Sequence, residues 1–99
     1  MDAKVIFYSM KNLEPKVRTK VLEKLLGKSK KSNFGKYVYQ VTGLIPEGSY
    51  IKPVRAVLII KKRYLTKVLK LFDFYDMEYI VFDIIVEKGD FDKKHIFLN

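Results

Sequence analysis

The amino-acid sequence predicts an α+β domain with the element order βαββαβ. Three observations lead to it. β-Branched and aromatic runs of strand length open the chain, recur in its middle and dominate its last third. Two intervening stretches carry apolar residues at helical spacing instead. The Gly, Pro, Asn and Ser clusters fall mainly between these runs.

Lys4–Met10 (KVIFYSM) reads as the first strand. Asn12 is the expected helix N-cap, and Pro15 falls in the first turn, where its missing N–H costs nothing. Leu13, Val17, Val21, Leu22, Leu25 and Leu26 mark one face of a helix over 13–26, with Gly27 as its stop. Lys28–Gly35 (KSKKSNFG) is polar, basic and Gly-terminated, and reads as a loop. Lys36–Thr42 (KYVYQVT) alternates like a strand. Gly43–Pro53 carries turn residues at Gly43, Pro46, Gly48 and Pro53. Val54–Ile60 (VRAVLII) is nearly all apolar and is expected at the centre of a sheet. After Lys61-Lys62-Arg63, the residues Leu65, Val68, Leu69 and Phe72 share a second helical face, which ends at Asp73–Met77. Glu78–Glu87 is the last strand, Lys88-Gly89-Asp90 a turn, and Phe91–Asn99 a tail with apolar residues at Phe91 and Ile96-Phe97-Leu98.

Two βαβ-like halves joined by a hairpin give the split, ferredoxin-like arrangement: a four-stranded antiparallel sheet with two helices on one face. A chain of 99 residues holds one domain, 1–99, with 90–99 as a tail or arm. Alternation places Val5, Phe7, Leu58, Ile60, Ile80, Phe82 and Ile84 toward the helices. Ile6, Tyr8, Val57, Ile59, Val81 and Ile85 are then left on the open face. That face is too apolar for a solvated sheet and is expected to be an oligomer interface, or to be covered by the tail.

Charge is distributed unevenly. Residues 1–72 carry 17 Lys/Arg and 4 Asp/Glu, whereas residues 73–99 carry 3 and 7. A basic body of this kind attracts polyanions. The absence of cysteine excludes disulfides, thiolate nucleophiles and Cys-based metal sites, and His95 is the sole histidine. No phosphate-binding glycine loop, HExxH or EF-hand pattern occurs. No catalytic, cofactor or metal residues are therefore assigned. The start of the chain lacks a secretory pattern and no apolar run approaches the roughly 20 residues of a membrane span, so a cytoplasmic protein is expected.

The sharpest binding candidate is the stretch in which Phe34, Tyr37 and Tyr39 interleave with Lys28, Lys30, Lys31 and Lys36. Lysines neutralise phosphates while aromatic rings stack on bases. Lys61, Lys62 and Arg63 form a second basic group. The expected function is binding of RNA or DNA by this loop and the helix rims. A non-catalytic oligomeric or protein-interaction module is the alternative, and a metal-independent ribonuclease using Tyr or Lys the third reading.

Ser32-Asn33-Phe34-Gly35-Lys36-Tyr37-Val38-Tyr39, followed by Gly43-Leu44, resembles a segment of small archaeal proteins of unassigned function. The resemblance covers about a third of the chain, implies no activity, and agrees with a Lys- and Ile-rich, Gln-poor composition of thermophile type. The RNA-recognition module shares the element order but displays aromatics on its central strands. Val54–Ile60 has none, so the chain is not placed there. Small CRISPR-associated ferredoxin-like nucleases resemble it in size, but carry an Asp where this chain has Ser9-Met10, which speaks against metal-dependent cleavage.

Overall fold

The computed structural model describes residues 1–32, 37–87 and 89–92. In chain order the elements are β1 (Asp2–Ser9), α1 (Pro15–Leu26), β2 (Lys28–Ser32), β3 (Tyr37–Val41), β4 (Tyr50–Ile51), β5 (Val57–Lys61), α2 (Leu65–Phe74) and β6 (Glu78–Ile85). Four of the strands form an antiparallel sheet in the order β4-β5-β1-β6. Among the described residues the other two, β2 and β3, pair only with each other. Among the described residues no helix is long and apolar enough to cross a membrane.

Pro15 occupies the first turn of α1 as expected, but the N-cap is Glu14 rather than Asn12. The chain first makes a turn, with the Leu13 N–H donating to Met10 O at 2.9 Å, and so delays the helix. Gly27 ends α1 at φ 82°, in the left-handed region open to glycine. Val21 and Leu25 of α1, with Val68 and Phe72 of α2, meet Ile6, Tyr8, Leu58 and Ile60 of the sheet in one core. Both helices therefore cover the same sheet face. Each of these aliphatic and phenylalanine side chains, fully buried, contributes roughly 1.5–3 kcal/mol.

Three expectations about the strands are corrected. Lys28–Gly35 is not simply a loop, because Lys28–Ser32 is a strand zipped against Tyr37–Val41. The expected strand 36–42 therefore pairs in this hairpin, and the edge place beside β5 falls to the short β4 within the supposed turn region. The strand expected over 54–60 starts only at Val57, because Ala56 turns the chain at φ 63°. The Ala56 carbonyl accepts the Tyr8 N–H at 3.0 Å, tying that turn to β1.

The faces of β1 and β6 are also reversed. Phe7 stands opposite Val57 and Ile80, and Val5 opposite Ile59 and Phe82. Directly opposed residues share a face. Val5, Phe7, Ile80, Phe82 and Ile84 thus lie on the open side with Val57 and Ile59. Ile6 and Tyr8, expected on the open face, are buried under the helices, and Val81 packs against the same core. Ile85 sits at the end of β6, 84% exposed. The reason is the tyrosines. Phe72 stacks between Tyr8 and Tyr79 at centroid distances of 5.1 and 6.0 Å. The Tyr79 hydroxyl escapes to the rim and donates to the Asp73 carboxylate at 2.8 Å. At the far end of the same face an ion pair between Lys4 and Asp83 supplies polar cover.

The open face keeps its apolar character with a changed membership. Phe7, Ile80 and Phe82 are 46%, 59% and 54% exposed, and the rings of Phe7 and Phe82 meet edge to face at 5.9 Å. Phe91 is buried, with Lys61 Nζ 5.7 Å from its ring, which brings the start of the tail to the rim of this face. Ile96, Phe97 and Leu98 lie outside the described residues.

Candidate nucleic-acid interface

The β2–β3 hairpin is a basic ribbon. Its register sets Lys28 opposite Val41, Lys30 opposite Tyr39, Lys31 opposite Val38 and Ser32 opposite Tyr37. With a period of two, positions 28, 30, 32, 37, 39 and 41 share one face of the ribbon and position 31 belongs to the other. Lysine positions of β2 and tyrosine positions of β3 thus share a single face. Phe34 and Lys36 lie outside the described residues. The molecule measures 44 × 34 × 27 Å, and its radius of gyration of 14.2 Å exceeds the about 13 Å of a compact 100-residue domain.

The ribbon is anchored where its two ends cross. A Cβ on Gly43 would lie 2.2 Å from the Gly27 nitrogen, and one on Gly27 only 2.1 Å from the Val41 oxygen. The backbones touch here, so both positions need glycine. Past the crossing, the N–H groups of Leu44 and Ile45 donate to the carbonyls of Lys24 and Leu25 at 2.8 and 3.1 Å. These bonds satisfy the last carbonyls of α1, which have no partner inside the helix. The ribbon's departure point is therefore fixed by the helix end.

A shallow groove runs beside this base, lined by Lys20, Glu23, Lys24, Lys28, Val41 and Thr42. Lys28 pairs with Glu23 at 3.2 Å, and Lys24 donates to the Tyr75 hydroxyl at 2.8 Å. Lys20 and Lys24 thereby extend the charge of the ribbon onto α1. The basic face of α1 could be read from the sequence as a helix rim, but not its meeting with the base of the ribbon.

The second basic group does not join the ribbon. Lys61 is turned over Phe91, and Arg63 lies 5.6 Å from the ring of its neighbour Tyr64. Lys62 lines a cleft with Lys4, Asp83 and Ile84 at the β1–β6 end of the sheet. The ribbon base adjoins Ile45, Pro46 and Tyr50, beside the opposite edge. In the cleft, the hydrogen bond and charge of Lys4 hold the Asp83 carboxyl below the usual range.

A third cationic site was not legible in the sequence. Arg18, Lys52 and Arg55 converge on a cavity of about 360 Å³ beside Tyr8. Burial pushes the Tyr8 phenol up to about 12. Burial, with the charge of Arg55, lowers the pKa of Lys52.

The acids of the turns have local roles. Asp90 accepts the Glu87 N–H at 2.7 Å, and Asp73 serves Tyr79. Among the described residues no three His, Cys, Asp or Glu side chains come together to hold a metal. His95 lies outside the described residues. No family model, curated protein or solved structure matches the chain.

Proposed function

We propose that this protein binds single-stranded nucleic acid, with the β2–β3 ribbon and the Lys20–Lys24–Lys28 groove at its base tracking the phosphate backbone. The observation that carries the reading is the register. It puts Lys28 and Lys30 of one strand on the same face as Tyr37 and Tyr39 of the other, with Lys30 directly opposite Tyr39, in a ribbon that joins neither edge of the main sheet. Cations spaced for phosphates on the same face as aromatic positions are what sequence-tolerant single-strand binding requires. Lysine outnumbers arginine 17 to 3, which suits neutralisation of a backbone rather than bidentate reading of base edges. Affinity for a labelled oligonucleotide should fall linearly on a log–log plot against salt. A Lys30→Ala, Lys31→Ala variant with an unchanged slope would remove the ribbon from the reading.

The body is proposed to follow the ferredoxin-like plan. Supporting this are the order β4-β5-β1-β6 and the placement of both helices on one face, with β2 and β3 drawn out as the ribbon. A second copy of the chain is the proposed occupant of the open face. Half-exposed Phe7, Ile80 and Phe82 offer about 300 Å² per copy, more than a third of the about 800 Å² a standard interface needs from each partner. Val57, Ile59 and Ile84 extend the patch, and it runs to β6, which has a strand partner on one side only. Light scattering should give a dimer, both for the whole chain and for one shortened to end at Asp92. A monomer that begins to associate only on shortening would mean that the tail covers the face instead.

A further inference from the structure

We infer that the cavity between β1, α1 and the β4–β5 connection binds a nucleoside phosphate monoester, either as the free nucleotide or as the phosphorylated end of a strand. Three cations from two parts of the fold meet there: Arg18 of α1, and Lys52 and Arg55 of the connection. No carboxylate lines the cavity among the described residues. Like charges brought together without an acid repel, and the arrangement is relieved by an anion.

The cations are held in place. Arg18 donates from Nε to Leu13 O at 2.8 Å and from a terminal nitrogen to Lys11 O at 3.3 Å, so its guanidinium is pinned by the turn ahead of α1. Lys52 donates to Val54 O at 3.1 Å and lies 5.5 Å from the centroid of the Tyr8 ring. These bonds restrain two of the three long side chains before any ligand arrives. Less rotamer freedom is then lost on binding. The depressed pKa of Lys52 is consistent with a cation that lacks a counter-charge.

The rest of the wall is not suited to phosphate alone. Met10, Leu22 and Ala56 are apolar, and the largely buried Tyr8 lines the cavity beside them. The cavity, about 360 Å³, is far larger than a phosphate group and falls in the range of small-ligand sites. A charged end for the three cations and a flat apolar body for this wall describe a nucleotide. The bond from the Tyr8 N–H to Ala56 O fixes the backbones of these two lining residues relative to each other. The site needs none of the ribbon's residues.

Titration calorimetry with adenosine monophosphate, adenosine and inorganic phosphate tests the assignment. The monophosphate should bind more tightly than either fragment. Arg55→Ala, at an exposed position, should weaken it by about tenfold or more, the loss expected for one charge-assisted contact. Lys52→Met should do the same while keeping the stem that packs on Tyr8. An oligonucleotide with a 5′-phosphate, compared with its 5′-hydroxyl twin, distinguishes the source: a preference for the phosphorylated strand assigns the site to strand ends, and none assigns it to free nucleotide. Lys30→Ala, Lys31→Ala should leave monophosphate binding unchanged, which separates this site from the ribbon. Equal affinity for adenosine and its monophosphate, no binding of the monophosphate, or unaltered binding in both cavity variants overturns the inference.

Discussion

Replacing Gly43 with alanine tests the crossing that seats the ribbon. The new Cβ would stand 2.2 Å from the Gly27 nitrogen, 2.5 Å from the Leu26 carbonyl carbon and 2.7 Å from the Leu25 oxygen. All three are backbone atoms, so no side chain can swing aside. Restoring ordinary contact requires the two chains to part by about 1 Å. That movement stretches the 2.8 and 3.1 Å bonds from Leu44 and Ile45 to the end of α1 past useful length. Two lost hydrogen bonds cost about 1 kcal/mol each, and overpacking adds about 1–3 kcal/mol. The stiffer unfolded chain returns about 0.4–1 kcal/mol. The expected net loss is about 3 kcal/mol, which at a urea slope of about 2 kcal/mol per molar lowers the unfolding midpoint by about 1.5 M. Gly48→Ala is the control. Its Cβ meets nothing within 4 Å, and its φ of 83° makes the cost one of backbone strain alone, about 1 kcal/mol. A Gly43→Ala midpoint within about 0.3 M of the parent would refute the crossing as described.

Three further outcomes follow from the packing. The Tyr8 phenol is neutral in both states below its ordinary value of 10.0, and between there and about 12 only the unfolded chain ionises. Stability should therefore fall across that window by about 2–3 kcal/mol and then level off, and the difference between the parent and Tyr8→Phe in urea midpoints should show this loss. Phe82→Lys puts a charge in the centre of the open face without touching the helix-side core, so light scattering should show a monomer of near-parent stability. Persistence of the dimer would place the interface elsewhere. Ala56→Gly relieves a left-handed φ of 63° and should raise the urea midpoint slightly, by an amount worth at most about 1 kcal/mol.

Much of the body was legible from local pattern. Pro15 and Gly27 bracket α1, and Val68 with Phe72 gives α2 its buried stripe, because helix periodicity and end signals are written in short stretches. The phase of β1 and β6 was not. Val5 and Phe7 are as apolar as Ile6 and Tyr8, so alternation offers two equal answers. The choice is made by Phe72, which needs Tyr8 and Tyr79 as neighbours. β2 was invisible for a different reason. Lys-Ser-Lys-Lys-Ser has little strand propensity, and only pairing with Tyr37–Val41 makes it a strand. Of the candidate site, the lysines and tyrosines of the ribbon could be named from sequence, but not the face they share across two strands. Arg18, Lys52 and Arg55 are far apart in the chain or lie in an irregular connection, and no spacing rule unites them.

The ribbon's role is tested most directly by the salt dependence of affinity for a single-stranded oligonucleotide, measured for the parent and for Lys30→Ala, Lys31→Ala. Each phosphate contact contributes about 0.7 to the slope of log affinity against log salt for a single strand. Affinity of the parent should fall linearly, and the slope of the double variant should be shallower by about 0.7, the share of Lys30, since Lys31 belongs to the other face of the ribbon. Parallel lines, or no measurable binding by the parent at low salt, would contradict that role.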